Sequence, residues 1–155
     1  MCGIIGYIGL EETKPFLIEG LKNMEYRGYD SSGLCIKNEN GLSILKREGY
    51  VNKLSESQEF TQLNGLSGIA HTRWATHGEP NEVNAHPHFD CKGEIAVVHN
   101  GIIENYVLLK ENLKKEGHIF SSETDSEVIV HLIEKFYSGN LMEAVTQTLN
   151  LLEGS

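Results

Sequence analysis

Residues 2–9 read CGIIGYIG and follow the initiator methionine of a chain of 155 residues. The short apolar, β-branched run predicts a buried strand, and its glycines predict close packing of another backbone against it. Cys2 is small enough to allow methionine removal, which would make it the first residue. A thiol titrates near ~8.5 and an α-amine near ~7.7–8.0, so the amine can accept the proton of its own thiol. The stretch suggests an N-terminal nucleophile, although a cysteine at position 2 also occurs by chance.

The composition is that of an ordinary globular protein with one domain. Hydrophobic residues make up 39% of the chain, and the formal net charge is −9. With no run of lysine and arginine, this charge argues against binding to nucleic acid or to an anionic membrane. No segment approaches the ~20 apolar residues of a membrane helix, and no signal peptide is apparent. Because Cys2, Cys35 and Cys91 have no paired spacing, we expect reduced thiols and a cytoplasmic location.

Hydrophobic periodicity predicts a mixed α/β layered fold. Strands are expected over residues 3–9, 34–37, 42–46, 68–74, 94–99 and, briefly, 118–120. Helices are expected from a cap at Thr13 to Met24, over residues 51–60, over 102–113, from a cap at Ser122 or Thr124 to Phe136, and over 141–152. The Asn-Gly pair at positions 40 and 41 is a hairpin signal. The polar stretch from residue 75 to about 90 is long for a loop, which is typical of functional segments.

Residues 71–78, HTRWATHG, place a guanidinium, an indole, hydroxyls and imidazoles where a predicted strand ends. The planar guanidinium of Arg73 suits bidentate capture of a carboxylate, and a neighbouring threonine hydroxyl can complete such a site. Taken alone, this arginine is better explained by a surface ion pair with one of the 22 acidic residues.

The histidines of this region suggest a zinc site as an alternative, because imidazole is a common metal ligand. They are His71, His77, His86 and His88. No HxH or HExxH pattern lies on one predicted helix, and Pro87 constrains the last pair. We therefore interpret each histidine as a hydrogen-bonding loop residue, and we expect neither a metal nor a cofactor.

Two further stretches carry candidate chemistry. Asn100 and Gly101 lie at a predicted strand-to-helix turn, where a side-chain amide and a backbone N–H can stabilise one oxyanion. An ordinary Asn-Gly turn explains this pair when it is taken alone. Asp125 lies in the acidic stretch ETDSE at residues 123–127, where the helix dipole favours acidic residues without any function. Its functional interpretation is to neutralise a substrate ammonium.

These separate features fit one another chemically. An N-terminal thiol, a carboxylate-binding arginine, an oxyanion donor pair and an ammonium-binding carboxylate describe a site for an α-amino acid with an acyl side chain. Glutamine fits that description.

The same motifs resemble, in order, those of the class II glutamine amidotransferases, which are N-terminal-nucleophile hydrolases. They are residues 2–7, 26–31, 71–78, 99–105 and 123–125. Within this family, residues 73–78 and 99–105 are most similar to the branch that aminates fructose 6-phosphate. The resemblance implies a four-layer α/β/β/α sandwich with Cys2 at a strand end.

The resemblance also implies a role for each matched residue. Cys2 would attack the glutamine side-chain amide, with Asn100 and the N–H of Gly101 as the oxyanion hole. The remaining substrate contacts are implied for Arg73, Thr76 and His77 at the α-carboxylate, Asp125 at the α-amine, and Trp74 with its loop as a lid that gates ammonia. Arg27 and Gly28 would play a supporting role near the nucleophile.

The chain departs from this family in length. We expect residues 1–155 to be the N-terminal portion of a class II glutamine amidotransferase domain, without the sugar-isomerase domains of its branch and with the sandwich incomplete at the C-terminus. A missing core strand would expose a sheet edge, so self-association is expected. The alternatives are a silent fragment that binds glutamine or a partner chain, the amidophosphoribosyltransferase or asparagine synthetase branches, and a zinc-binding module. The nucleophile hypothesis also requires that Met1 be removed.

Overall fold

The structure is a computed structural model that describes residues 2–75 and 78–155. Its strands are β1 (Gly3–Ile8), β2 (Ser31–Asn38), β3 (Gly41–Glu48), β4 (Ser67–Arg73), β5 (His88–Phe89) and β6 (Ala96–Val97). Its helices are α1 (Thr13–Met24), α2 (Asn52–Ser55), α3 (Gln58–Gln62), α4 (Tyr106–Lys115), α5 (Glu127–Phe136) and α6 (Leu141–Leu149), and a 3-10 turn covers Glu25–Arg27. No helix in these two ranges is both long and apolar enough to cross a membrane.

The first four strands form one antiparallel sheet in the order β1-β4-β2-β3. β4 is therefore central, with Gly3 of β1 opposite Thr72 and Ser31 of β2 opposite Arg73. The short strands β5 and β6 form a separate antiparallel pair. The end of β4 is thus flanked on both sides by the beginnings of other strands.

Helix α1 covers one face of the four-stranded sheet. Leu17 and Leu21 are fully buried there against Leu34 and Ile36 of β2 and Ala70 of β4. Because strand side chains alternate between faces, the intervening residues of β2 and β4 point away from α1. This alternation divides β4 into a core-facing set and a set that faces the second sheet.

A second core lies beyond β5 and β6. Helix α5 contacts both of these strands and packs on α4 and α6. The buried residues of this core are Ile103, Leu113, Val128, Ile129, Leu132, Ile133 and Ala144. A cavity of about 980 Å³ between the two sheets is lined by Cys35 and Ile69 on one side and Ile95 on the other. The layers therefore follow the order helix, sheet, sheet, helix, as the α/β/β/α prediction requires.

The predicted strands over residues 3–9, 34–37, 42–46 and 68–74 are confirmed as β1 to β4. The hairpin is also confirmed, because Asn38 pairs with Gly41 and Gly41 takes a φ of 116° that suits glycine. The buried Cys35 is a core residue, and burial raises the pKa of its thiol to about 12.

One predicted strand is shorter than expected and another is not formed, and in both places side chains bind the backbone. The strand over residues 94–99 shortens to Ala96–Val97, because Asp90 Oδ1 accepts the N–H groups of Glu94 and Ile95 at 2.8 Å each. The brief strand over residues 118–120 is absent from the described elements, and the N–H of Ile119 donates instead to Cys91 Sγ at 3.4 Å. Local hydrogen bonds of this kind compete with strand pairing.

Each predicted helix except the one over 51–60 is present as a single helix, but several begin or end at other residues than predicted. The helix over 51–60 divides into α2 and α3, because Ser57 has an extended backbone and caps α3 through Phe60 N–H. Residues 102–104 pair with 153–155, so α4 begins only at Tyr106. The three predicted caps are wrong: Thr13 lies inside α1, and Ser122 and Thr124 precede Ser126, the residue before α5.

Truncating a core leucine tests the packing of α1. We expect Leu17→Ala to lower the free energy of unfolding by about 2–5 kcal/mol, because it opens a cavity in a fully buried position. Leu10→Ala is the matched control, since Leu10 is 94% exposed and surface changes stay within about 0.5 kcal/mol. Urea unfolding followed by circular dichroism measures both, and equal losses would contradict the assigned core.

Candidate active site

The pairing of β1 with β4 brings Cys2 to the end of β4. The N–H of Gly3 donates to Thr72 Oγ1 at 3.1 Å, which fixes the backbone next to the cysteine. The N–H of Trp74 donates to Cys2 Sγ at 3.2 Å. Cys2 is half-buried, and these contacts hold it beside the end of β4.

Asn100 reaches the same cysteine from the segment before α4. Its Nδ2 donates to the carbonyl oxygen of Cys2 at 3.1 Å, and its Oδ1 lies 2.7 Å from His71 Nε2. An amide oxygen can only accept, so Nε2 of His71 carries the hydrogen and donates it. This bond fixes the orientation of the amide and leaves the second Nδ2 hydrogen for another acceptor.

His71 is suited to this role because it is buried and neutral. Its side chain is fully enclosed on the inner face of β4. Burial lowers the pKa of His71 to about 4, and the hydrogen bond to Asn100 only partly offsets this effect. The neutral ring has one N–H, and the hydrogen bond to Asn100 Oδ1 places it on Nε2.

A buried polar chain extends from His71 into the second core. The His71 ring stacks on His86 with centroids 4.3 Å apart, and His86 contacts the ring of His88 at 4.4 Å. His88 Nε2 lies 2.9 Å from the hydroxyl of Thr124, which bonds to Ser122 Oγ at 2.9 Å. This chain joins the two cores by ring contacts between the histidines and by hydrogen bonds beyond His88.

Glu127 terminates this polar chain. Ser122 donates to its Oε2 through the hydroxyl at 2.6 Å and through the N–H at 2.8 Å. Burial acts to raise the pKa of Glu127, but hydrogen bonds from side chains and backbone N–H groups outweigh it and hold the pKa well below its usual value. The first residue of α5 is therefore a buried carboxylate.

Arg73 is the buried cation of the site. Its guanidinium donates to the carbonyl oxygens of Glu79 at 3.2 Å and Gly78 at 3.3 Å. Burial lowers the pKa of Arg73, and the nearby Cys2, Asp30 and Asp125 act in the opposite sense. An arginine remains protonated under such a shift, so the site keeps a positive charge.

Asp125 supplies a buried carboxylate in the same pocket. Its Oδ2 accepts the N–H of Ile103 at 2.7 Å, which ties the segment before α4 to the approach of α5. The neighbouring Ser126 hydroxyl lies 2.9 Å from His99 Nδ1. Asp125 and Arg73 both line the pocket of Cys2, which therefore offers opposite charges for the two ends of a zwitterion.

Asp30, in the loop before β2, stabilises the end of β4 through two hydrogen bonds. Its backbone N–H donates to the carbonyl of Arg73 at 3.1 Å, and its Oδ2 accepts the N–H of Ala75 at 2.9 Å. Gly28 lies so close to this backbone that an added Cβ would stand 2.8 Å from the carbonyl carbon of Arg73. The close approach explains why a glycine occupies this position.

The structure brings most of the predicted site residues together. The pocket is lined by Cys2, His71, Arg73, Trp74, His86, His99, Asn100, Gly101, Thr124, Asp125 and Ser126. Trp74 is 45% exposed and meets the ring of Tyr29 edge-on at 5.8 Å. Arg27 is exposed and its Nε donates to the hydroxyl of Tyr26. Thr76 and His77 lie outside the described residues.

Sequence reasoning assigned no role to several of these pocket residues. The sequence suggests only separate hydrogen-bonding loop residues for His71 and His86, whereas in the structure their rings stack and His71 bonds Asn100. It suggests no role for His99 or Ser126, which stand next to Asn100 and Asp125. Their adjacency to those two residues was the available signal.

Comparison with known proteins agrees with this geometry. The profile described as "Glutamine amidotransferase domain" matches residues 55–147. The chain belongs to the glutamine amidotransferase family.

Several relatives match the whole chain. The glutamine–fructose-6-phosphate aminotransferase (isomerizing) of Thermococcus kodakarensis is 54% identical over 157 residues, and that of Caldanaerobacter subterraneus is 52% identical over 155. The chain spans 26% of the length of each. It therefore matches the glutamine amidotransferase part of these enzymes.

Two solved structures share the fold. The glutamine phosphoribosylpyrophosphate amidotransferase of B. subtilis, solved with ADP and GMP, superposes with a TM-score of 0.85 at 29% identity, over 99% of this chain and 33% of that one. A structure described as the allosteric regulatory enzyme of purine biosynthesis gives a TM-score of 0.86 at 29% identity, over 99% of this chain and 34% of that one. The N-terminal-nucleophile amidotransferase fold is thereby confirmed.

The buried histidines predict a pH-dependent stability. Burial lowers the pKa of His71 to about 4 and of His88 to about 3, and that of His86 well below its ordinary value. Between pH 6.5 and 5 the unfolded chain therefore binds more protons than the folded chain. The free energy of unfolding should fall on acidification through this window, by up to about 1.4 kcal/mol per pH unit for each histidine.

Urea unfolding at pH 5, 5.5, 6 and 6.5 measures this dependence above the pKa values of unfolded carboxylates, about 3.9 for Asp and 4.3 for Glu. His88→Gln removes one titrating ring and retains a donor toward Thr124, so its pH slope should be smaller. A wild-type stability that is constant or rises on acidification would contradict the assignment of neutral rings.

Proposed function

We propose that Cys2 of this chain attacks the side-chain amide of L-glutamine and releases ammonia. The observation that carries the proposal is the convergence of Cys2 Sγ, the Asn100 amide, Arg73 and Asp125 on one pocket. These groups are a nucleophile, an oxyanion donor, a cation and an anion. They match, in type and number, the functional groups of a zwitterionic amino acid with an amide side chain.

The reaction proceeds in two steps. The thiolate of Cys2 attacks the amide carbon of glutamine, and collapse of the tetrahedral intermediate breaks the carbon–nitrogen bond. The leaving nitrogen takes a proton and departs as ammonia, which leaves a glutamyl thioester on Cys2. Water then attacks the thioester, forms glutamate and returns the proton to the sulfur. Nucleophilic catalysis of this kind divides one difficult step into two easier ones.

Asn100 and Gly101 are proposed to stabilise the intermediate. One hydrogen of Asn100 Nδ2 is donated to the carbonyl of Cys2, so the other can point to an oxyanion formed at the cysteine. His71 holds the amide in that orientation through Oδ1. The N–H of Gly101, the next residue of the same pocket, supplies the second donor. Preorganised donors of this kind act only on charge that develops in the transition state.

The charged side chains are proposed to bind the two ends of glutamine. The fork of Arg73 suits the α-carboxylate, and the carboxylate of Asp125 suits the α-ammonium. Thr76 and His77 are assigned to the α-carboxylate by family resemblance alone, and Trp74 with the following loop is assigned as a lid. Because Arg73 now donates to the carbonyls of residues 78 and 79, substrate binding would exchange these contacts for the carboxylate.

The proposed base is the α-amine of Cys2, which requires removal of Met1. We expect the intact mass of the purified protein to be lower by one methionine, and the processed species to carry the activity. A fully active protein that retains Met1 would contradict this assignment of the base.

The wider assignment follows the relatives. We propose that residues 1–155 form the N-terminal portion of the glutaminase domain of a cytoplasmic glutamine–fructose-6-phosphate aminotransferase, with ammonia passed to fructose 6-phosphate on sugar-isomerase domains elsewhere. Identity of 49–54% to enzymes of this name, against 29% to the purine enzymes, supports this branch. The free cysteines agree with a reducing compartment. Self-association of the chain stays a prediction.

The oxyanion assignment is tested by Asn100→Ala. We expect kcat for glutamine hydrolysis to fall by about 10²–10³-fold, because one preorganised donor is lost. Asn112→Ala is the matched control, since Asn112 is an exposed residue of α4 and should leave kcat unchanged. A coupled assay of ammonia release measures kcat for both variants. Full activity of Asn100→Ala would contradict the oxyanion role of this amide.

The nucleophile is tested by covalent labelling. A chloroketone analogue of glutamine should modify Cys2 in the wild-type protein, and Cys2→Ala should abolish both labelling and ammonia release. Glutamine should protect the wild-type thiol. Because Cys91 is an exposed thiol, peptide mass spectrometry must locate the label. Modification of Cys91 with Cys2 unlabelled would overturn the proposal, and glutamine binding without turnover would favour a silent fragment.

A further inference from the structure

A second polar cluster lies where the turn after β5 meets α5. Cys91 comes from that turn, His118 from the segment after α4, and His131 and Glu134 from α5. One donor atom of each residue lies within 4.8 Å of the donor atoms of the other three. The described pocket of Cys2 is lined by other residues.

Three of four distances between donor atoms of this cluster are close to those of tetrahedral metal ligands, and the fourth, between His118 and Glu134, is shorter. Cys91 Sγ lies 3.8 Å from His118 Nδ1 and 3.6 Å from His131 Nδ1. Glu134 Oε2 lies 2.9 Å from His118 Nδ1 and 3.3 Å from His131 Nδ1. With Zn–S near 2.3 Å and Zn–N or Zn–O near 2.0–2.1 Å, tetrahedral geometry separates S from N by roughly 3.6 Å and N from O by roughly 3.3 Å.

The elements hold these donors in place. His131 and Glu134 are three residues apart on α5, so their side chains lie on the same helix face. The N–H of Ile119 donates to Cys91 Sγ at 3.4 Å, and the N–H of Cys91 lies 3.3 Å from Glu134 Oε2. Such outer contacts orient metal ligands. The side chains of His118 and Glu134 are only 13% and 11% exposed, and His131 is 1% exposed.

The second nitrogen of His131 faces the kind of partner that a metal-bound imidazole has. His131 Nε2 is buried without a hydrogen-bond partner, 3.7 Å from Glu127 Oε1. If neutral His131 carries its hydrogen on Nδ1 to bond Glu134, the lone pair of Nε2 faces a buried carboxylate. If a metal occupies Nδ1, the hydrogen moves to Nε2 and points at Glu127. A carboxylate behind the far nitrogen of a histidine is the usual outer partner of a metal-bound imidazole.

We propose that Cys91, His118, His131 and Glu134 bind one Zn²⁺ ion. Sulfur, nitrogen and oxygen donors of this kind suit zinc, and four protein ligands leave no open position, which is typical of a structural site. The ion would join the β5–β6 turn, the segment after α4 and helix α5. The site is chemically separate from the glutaminase proposal, because it uses none of the residues assigned to glutamine.

Metal content tests the site directly. The purified chain is stripped with a chelator, equilibrated with Zn²⁺ and dialysed, and zinc per chain is measured by plasma mass spectrometry. We expect one equivalent in the wild type and binding weakened more than about a hundredfold in Cys91→Ser and in His118→Gln, since loss of an outer partner alone costs 10–100-fold. Cys2→Ser is the matched thiol control and should retain one equivalent.

Two spectroscopic measurements identify the ligands and the consequence of binding. Bound Co²⁺ should give a thiolate charge-transfer band and the intense visible bands of a tetrahedral site. The charge-transfer band should be absent in Cys91→Ser. Free Zn²⁺ at about a hundredfold above Kd should raise the unfolding temperature of the stripped wild type by at least about 5 °C. The same addition should not raise the unfolding temperature of Cys91→Ser.

The outcomes separate this site from the active site. Zinc that is lost in Cys2→Ser and retained in Cys91→Ser would lie at the nucleophile and would overturn the proposal. So would a wild type that retains no zinc after dialysis. Circular dichroism of Cys91→Ser and His118→Gln establishes that both variants fold, and glutamine hydrolysis by the wild type is scored separately because it tests Cys2.

Discussion

Gly3 lies opposite Thr72 in the antiparallel pairing of β1 with β4, and this register determines where the groups of the site lie. It places the N-terminal cysteine beside the end of β4, where Trp74 N–H reaches its sulfur. If β4 were shifted by one residue against its neighbours, its two faces would be exchanged. Ala70 would leave the core under α1, and His71 would lose Asn100. Packing of α1 and assembly of the pocket therefore select the same register.

Buried polar groups lie between β4 and the second core, and hydrogen bonds explain how the fold tolerates most of them. An unpaired buried polar group costs a few kcal/mol. His71 meets Asn100, His88 meets Thr124, and Ser122 meets Glu127. The histidines avoid the cost of a buried charge by remaining neutral, as their lowered pKa values indicate. A neutral His71 is also the form whose single Nε2 hydrogen can fix the Asn100 amide.

Local patterns in the sequence predict the residues that are proposed to contact glutamine, and they do not predict the residues that pack behind them. Cys2 precedes β1, Arg73 ends β4, and Asn100 and Asp125 precede helices, and it is the chemical fit of the four residues to one another that indicates their roles. The stacking of His71 on His86 depends on a contact between β4 and a loop 15 positions later. The failed strand at 118–120 has the same origin, because Ile119 bonds a sulfur 28 residues away. Such contacts exist only after the chain has folded.

Glu127 connects the two polar clusters of the molecule. Its Oε2 accepts from Ser122, at the end of the chain of side chains that begins at Asn100, and its Oε1 faces His131 Nε2 at 3.7 Å. The carboxylate is the first residue of α5, where the positive end of the helix dipole favours its charge. The helix and the serine hydroxyl thereby stabilise one buried anion, and an imidazole lies beside it. This carboxylate therefore lies between the two polar clusters, one of which reaches Asn100 through His71 while the other contains His131.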